Sequence, residues 1–244
     1  ESNDLIDIGT TNNFLIIGDH GGQGRFDNVR FWNLDGVKIS ESVTPTISTS
    51  GSEWEVSFAN PILTYISDRQ PDLEDNFESR SGVWAPADWC ADWRMKYESG
   101  KLLVDGCYIQ YKGAPFTDYV VEVSSSFVSQ RGEIGILFRD DLCRMIISQD
   151  FGMEASCERF INGELTTTDI IKKEYHPQSS NPFHLRVIAK GGRFAFYLDG
   201  EPVGYFEEEA LKFGSQLELT FEVGGTIGTL DDFKIWDISE LEIP

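Results

Sequence analysis

Residues 183–206 read "FHLRVIAKGGRFAFYLDGEPVGYF". Apolar side chains fall at every second position on either side of "KGG" (190–192) and again up to "DG" (199–200). A period of two puts those side chains on one face of an extended chain, and the glycine pairs supply tight reversals between strands. The stretch therefore predicts antiparallel strands with one apolar face.

The same rhythm recurs outward from it. "YVVEVSSSFV", "GEIGILFR", "QLELTFEV" and "DDFKIWDI" all alternate, with turn signals at Gly132, at "SNP" (180–182) and at "GG" (224–225). No long stretch keeps a helical period. The best helical signal is "NPILTYISDR", with Asn60 as N-cap and Pro61 at the first helical position. The expected fold class is all-β, a sandwich or barrel of many short strands.

The chain has 244 residues and a formal net charge of -21, from 41 acidic and 20 basic side chains. Such a surface repels phosphate backbones and anionic lipid, which argues against nucleic-acid and membrane-surface partners. Acidic loops favour hard cations, calcium above all. No apolar run approaches the roughly 18–20 residues of a membrane span. The opening "ESNDLIDIGT" is not a signal peptide, so the chain reads as a processed piece of something longer.

Four cysteines stand at 90, 107, 143 and 157. A turn at Glu98-Ser99-Gly100 brings Cys90 roughly opposite Cys107, and one near Asp150–Gly152 does the same for Cys143 and Cys157. Two such coincidences favour these disulfides over the other connectivities and over four reduced, buried cysteines. Disulfides imply an oxidising, extracellular setting.

A repeat marks the two ends. "GRFDNVRFWN" (24–33) matches "GTLDDFKIWD" (228–237), and the alignment extends back to Leu15 with Leu219 and Ile17 with Phe221. Residues 11–39 and 215–243 thus correspond as one hairpin, but only the second copy has a full domain before it. The expected domains are a terminal hairpin at 1–39, a Ser/Thr-rich linker at 40–71 with a short helix near 60–68, and a sandwich at 72–244.

"EDNFESRSGVW", "GEIGILFR", the 183–206 stretch and "GTLDDFKIWD" together resemble the concanavalin A-like lectin/glucanase superfamily. The nearest flavour is the laminin-G-like and 3-keto-disaccharide-hydrolase-like modules of bacterial surface proteins. The resemblance covers about 72–238 as a whole domain and 11–36 as the tail of another. It implies a jelly roll of two antiparallel sheets, often with a structural calcium, used for sugar binding, adhesion or glycoside hydrolysis.

Three kinds of site follow. A calcium ion where the first strand meets the last would take Asp72, Glu74, Asp75, Asp231 and Asp232. A sugar platform would use Trp84, Trp89, Trp93, Tyr108 and Tyr111, since pyranose C–H groups pack on aromatic rings; the competing role is core filling. Glycosidases of the superfamily carry carboxylates as E-x-D-x-E or E-x-D-x-x-E on one strand. Here the nearest match is Glu218, Thr220 and Glu222, without the middle carboxylate. None of His20, His176 and His184 shows a recognisable Ser or Cys arrangement, and the chain reads as non-catalytic.

The orphan hairpin, with Leu15, Ile17, Val29, Phe31 and Trp32, cannot bury its apolar face alone. The functional expectation is thus a secreted bacterial structural or adhesive subunit. It would associate head-to-tail with its own copies, the hairpin docking on a neighbouring sandwich and building a filament. The alternative is a carbohydrate-binding module with a glycan partner, and the third is a glycoside hydrolase.

Overall fold

A computed structural model describes residues 53–243, apart from 130–131, 141, 162–163, 168–169, 179, 212–216 and 223–225. The N-terminal hairpin, with Leu15, Ile17, Val29, Phe31 and Trp32, lies outside the described residues.

Sixteen strands are described. They are β1 (Leu73–Asp75), β2 (Trp84–Pro86), β3 (Met95–Glu98), β4 (Lys101–Asp105), β5 (Tyr108–Tyr111), β6 (Tyr119–Phe127), β7 (Glu133–Phe138) and β8 (Cys143–Ser148). Then come β9 (Gly152–Ile161), β10 (Glu164–Thr167), β11 (Ile171–Lys173), β12 (Phe183–Lys190), β13 (Arg193–Leu198), β14 (Glu201–Glu207), β15 (Leu217–Glu222) and β16 (Ile227–Asp237).

They form two antiparallel sheets. The first runs β14-β13-β12-β6-β16-β4-β3, with β1 also on β16; the second runs β10-β9-β8-β7-β15-β5-β2, with β11 also on β9. This is the expected jelly-roll sandwich, and the 183–206 stretch supplies β12, β13 and β14 on one side of the first sheet.

The inward residues are those the alternation picks out. Val121, Val123 and Phe127 of β6, Val187 of β12 and Phe194 and Phe196 of β13 meet Ile134, Ile136 and Phe138 of β7 and Met145 and Ile147 of β8 in one continuous core. Each such side chain contributes about 1.5–3 kcal/mol by leaving water.

A second apolar cluster lies on the outer face of the first sheet. Val120, Ile188, Tyr197, Tyr205 and Trp236 are covered there by Trp54, Phe58, Ile62 and Ile66. Those four sit four residues apart, one stripe of a helix. The helix is longer than the Asn60-Pro61 signal implies. A wide π turn, Glu55–Ala59, runs directly into α1, Asn60–Ser67. Pro61 has no N–H to give, and the wider turn, closed by Asn60 N–H donating to Glu55 O, carries the ladder past it. Part of the stretch expected as linker thus packs on the sandwich.

Arg139, in the β7–β8 turn, is fully buried. Its guanidinium donates to Thr117 O, to Gly191 O at 2.8 Å and to the Asp118 carboxylate at 3.5 Å. It also lies 5.5 Å from the Phe194 ring centroid. One cation from the second sheet therefore holds the entry of β6 and the β12–β13 turn in the first. Arg139→Met should lower unfolding free energy by about 3 kcal/mol, read by urea denaturation, because the carbonyls and Asp118 lose their donor.

Candidate functional site

The outer face of the second sheet is built by the residues that alternate with the core. Inward Ile109, Ile136, Met145 and Ala155 leave Tyr108 and Gln110 of β5, Leu137 of β7, Arg144 of β8 and Glu154 and Ser156 of β9 facing out. Register aligns them in two rows. Ala85, Gln110, Glu218, Leu137, Arg144 and Ser156 make one; Tyr108, Thr220, Gly135, Ile146 and Glu154 make the other. From β5 to β9 is four strand spacings, about 19 Å.

Gly135 is required where it stands. A Cβ there would lie 2.3 Å from Met145 O and 2.9 Å from Ile146 Cα.

At the β5 edge, Trp89 is 61% exposed, and its ring stands edge-on to Tyr108 with centroids 5.3 Å apart. The loop carrying Trp89 is closed by Ala87 N–H donating to Tyr108 O at 2.9 Å and Cys90 N–H donating to Ala87 O at 2.7 Å. At the other end, Arg144 donates to Glu154 Oε1 at 2.9 Å and to Ser156 Oγ at 3.3 Å. Lys172 Nζ lies 3.6 Å from Glu154 Oε2, so this carboxylate sits between two cations. An exposed aromatic edge thus lies at one end of this face and a charged cluster, with Glu154 and Ser156 buried within it, at the other.

The five rings named from sequence divide. Trp84 is 1% exposed and belongs to the core, where it meets Phe233 edge-on at 4.6 Å. Its indole N–H donates to Asp75 Oδ2 at 3.1 Å. Tyr111 pairs with Trp84 across β2–β5 and leans on Phe116, half-buried against the same core. Trp84 and Tyr111 are thus core rings, because alternation along β5 turns Tyr111 inward while Tyr108 faces out. Trp93 is 60% exposed under the Arg94 guanidinium. Trp89 and Tyr108 are the pair that the fold brings together outside.

Both disulfides are present, Cys90–Cys107 and Cys143–Cys157. The second joins direct cross-strand partners of β8 and β9.

The five acidic residues named for calcium do not converge. Asp75 accepts from Phe77 N–H, Ser81 Oγ and Trp84 Nε1. Asp72 accepts from Asp237 N–H at 2.8 Å and pairs with Arg69. Asp231 faces Lys101, Glu74 faces Lys234, and Asp232 is 3.4 Å from Ser124 Oγ. Among the described residues no group of three His, Cys, Asp or Glu side chains is disposed to hold a metal. These carboxylates serve as internal acceptors and do not fit a shared ion.

Glu218, Thr220 and Glu222 lie on β15, which is central in the second sheet, between β7 and β5. Glu218 is in register with Gln110 and Leu137, and Glu222 with Glu133. His184 has a partner that the sequence did not disclose. Its Nδ1 is 2.9 Å from Ser124 Oγ on the outer face of the first sheet, where Ser124 is buried in mid-strand. His176 is exposed beside Glu174. Sequence reading passed over Gln110, Arg144, Glu154 and Lys172, although alternation in "CRMIIS" already turns Arg144 away from the core.

No family model matches the chain, and no curated protein matches it. Solved structures do. A non-specific endo-β-1,3(4)-glucanase of family GH16 is 12% identical with a TM-score of 0.56, over 69% of this chain and 91% of that one. A β-1,3-1,4-glucanase from a mouse hindgut metagenome is 11% identical with a TM-score of 0.53, over 68% and 99%. β-Agarase A in complex with oligoagarose is 11% identical with a TM-score of 0.55, over 67% and 90%. The fold is the concanavalin-like jelly roll.

Two expectations are corrected by these likenesses. The reading as a self-associating filament subunit finds no support, since the proteins sharing this sandwich are glucanases and an agarase. The reading as non-catalytic, drawn from the missing middle carboxylate and from histidines without Ser or Cys partners, is overturned as well, because the solved structures that share this fold include endo-glucanases and an agarase.

Burial separates the two tryptophans. Trp84→Ala should cost about 3–5 kcal/mol of stability. Trp89→Ala should change it by less than about 0.5 kcal/mol. Thermal melts of both variants check this.

Proposed function

We propose that the protein is an extracellular glycan-active sandwich that takes a polysaccharide chain along the outer face of its second sheet. The observation that carries this is the exposed Trp89 ring set against Tyr108 on a sheet face whose other end is the Arg144–Glu154–Lys172 cluster. A sugar ring packs its C–H face on the aromatic pair while hydroxyls bond Gln110 and the charged side chains, which are already held by one another. Two disulfides fit an oxidising compartment, and no helix among the described residues is long and apolar enough to cross a membrane. The neighbours are β-glucanases and an agarase, so soluble mixed-linkage β-1,3-1,4-glucan and oligoagarose are the first probes. Trp89→Ala should weaken binding by about tenfold or more without loss of fold, read by isothermal titration. Unchanged affinity would remove the platform from the reading.

A second reading, hydrolysis, is favoured by the place of β15. Glu218 and Glu222 stand four residues apart on the central strand, on the positions that register with outward Gln110 and with Glu133. Hydrolysis with retention needs an acid and a nucleophile about 5–5.5 Å apart, and inversion about 6.5–9.5 Å. In this reading one glutamic acid protonates the leaving oxygen and the other, ionised, attacks the anomeric carbon or activates water. Reducing-sugar release from mixed-linkage glucan should disappear in both Glu218→Gln and Glu222→Gln while binding persists. Turnover surviving both substitutions would assign it elsewhere.

A further inference from the structure

We propose that the Cys90–Cys107 disulfide and Arg94 position the Trp89–Tyr108 platform, and that a dithiol reductant switches its sugar binding off while the sandwich stays folded. This rests on the glycan reading above.

Cys90 directly follows Trp89, and Cys107 directly precedes Tyr108. The bond therefore ties together the backbones on which the two rings stand. It also lies where the chain changes sheets twice, between β2 and β3 and again between β4 and β5. The loop from Ala87 to Ala91 has no regular structure; its backbone hydrogen bonds include Ala87 N–H to Tyr108 O, Cys90 N–H to Ala87 O and Arg94 N–H to Ala91 O.

Arg94 holds the other side of the crossing. Its Nη1 donates to Asp105 O at 3.0 Å and to Gly106 O at 3.4 Å, with the guanidinium 5.0 Å from the Trp93 ring centroid. The turn that leads into Cys107 is thereby fixed against the turn that carries Trp93.

The two disulfides differ in access. Cys143, Cys157 and Cys107 are buried and face the core, whereas Cys90 is only partly buried and sits beside the exposed Trp89. An external dithiol therefore meets the first bond through Cys90, and reduces it ahead of the second. Its thiolate attacks one sulfur, the S–S bond breaks, and a mixed disulfide forms. The second thiol then displaces the protein sulfur. Two electrons and two protons pass to the cystine, giving two thiols, and the dithiol leaves as its own disulfide. Tyr108 stays on β5, held by its strand, but the Trp89 loop loses its covalent anchor and the preorganisation of the pair.

The test uses the full chain, oxidised and after mild dithiothreitol treatment, with mass spectrometry to count the bonds reduced. Amide exchange across residues 86–95 should speed up by about tenfold on reduction of one disulfide, with the strands of the core unchanged. Affinity for mixed-linkage β-1,3-1,4-glucan or oligoagarose should fall by about tenfold and return on reoxidation. Arg94→Lys should keep more of the binding than Arg94→Ala. If both disulfides reduce together, the Cys90→Ser/Cys107→Ser variant replaces the reduced sample. Unchanged exchange in 86–95 overturns the proposal, and so does a rise spread over the whole sandwich, which would make the bond a general staple. If the oxidised protein binds neither glycan, the glycan reading fails by itself, and the exchange measurement still decides what the disulfide positions.

Discussion

Arg139 is the one cation sealed inside the described part of this sandwich, and its bonds explain why the two sheets sit as they do. A guanidinium without water must spend its donors on the protein, so Thr117 O, Gly191 O and Asp118 are drawn to one point. Those acceptors belong to the first sheet and Arg139 to the second. The backbone accepts a left-handed conformation at Arg139 and Asp140 to make this reach, with φ of 55° and 57°. Apolar packing is non-directional and would tolerate sliding of one sheet over the other. The buried cation supplies direction.

Similar pins occur at other crossings between the sheets among the described residues. Asp75 ends β1 in the first sheet, and its carboxylate accepts from the indole of Trp84, which opens β2 in the second. Cys90–Cys107 closes the next two crossings. Within the first sheet, Lys190 donates to Ile238 O and to Asp118, joining the β12–β13 turn to the exit of β16. A crossing exposes backbone that no ladder satisfies, and side-chain and covalent ties supply part of what is missing there. At the junction of first and last strands, Asp75 and Asp72 accept from N–H and O–H donors, and Glu74 and Asp231 face lysines.

The outer face of the second sheet inherits its order from those pins. Its rows are level because β15 and β7 keep one uninterrupted register over six residue pairs, and β7 and β8 over another six. The first sheet, by contrast, bulges between Asp231 and Lys234 and is half covered by the helix ending at Ser67. That asymmetry leaves the second sheet as the smoother platform. Burial pushes the Tyr197 phenol beneath the helix up to about 12, from an ordinary value near 10. The covered face is therefore held together by neutral aromatic rings, whereas the other is organised by charge.

Much of this was legible in the chain. A period of two in "RFAFYLDG" and "GEIGILFR" dictates strands with one greasy face, because successive side chains of an extended backbone point opposite ways. The glycine pairs dictate where they reverse. Cysteine spacing across two short hairpins was enough to pair 90 with 107 and 143 with 157. What the linear order could not supply is which face of which strand meets which neighbour. Trp84 and Trp89 look alike in "VWAPADWC", yet one is buried on Asp75 and the other stands in water, since a five-residue step through a turn reverses the side-chain direction. Gln110, Arg144 and Glu154 come from three strands and share a surface only because β15 inserts between β5 and β7, a pairing of residues about a hundred positions apart. Local alternation is set by backbone geometry and is written in the sequence. Long-range register is set by how the two apolar faces close on each other, and that exists only in the folded chain.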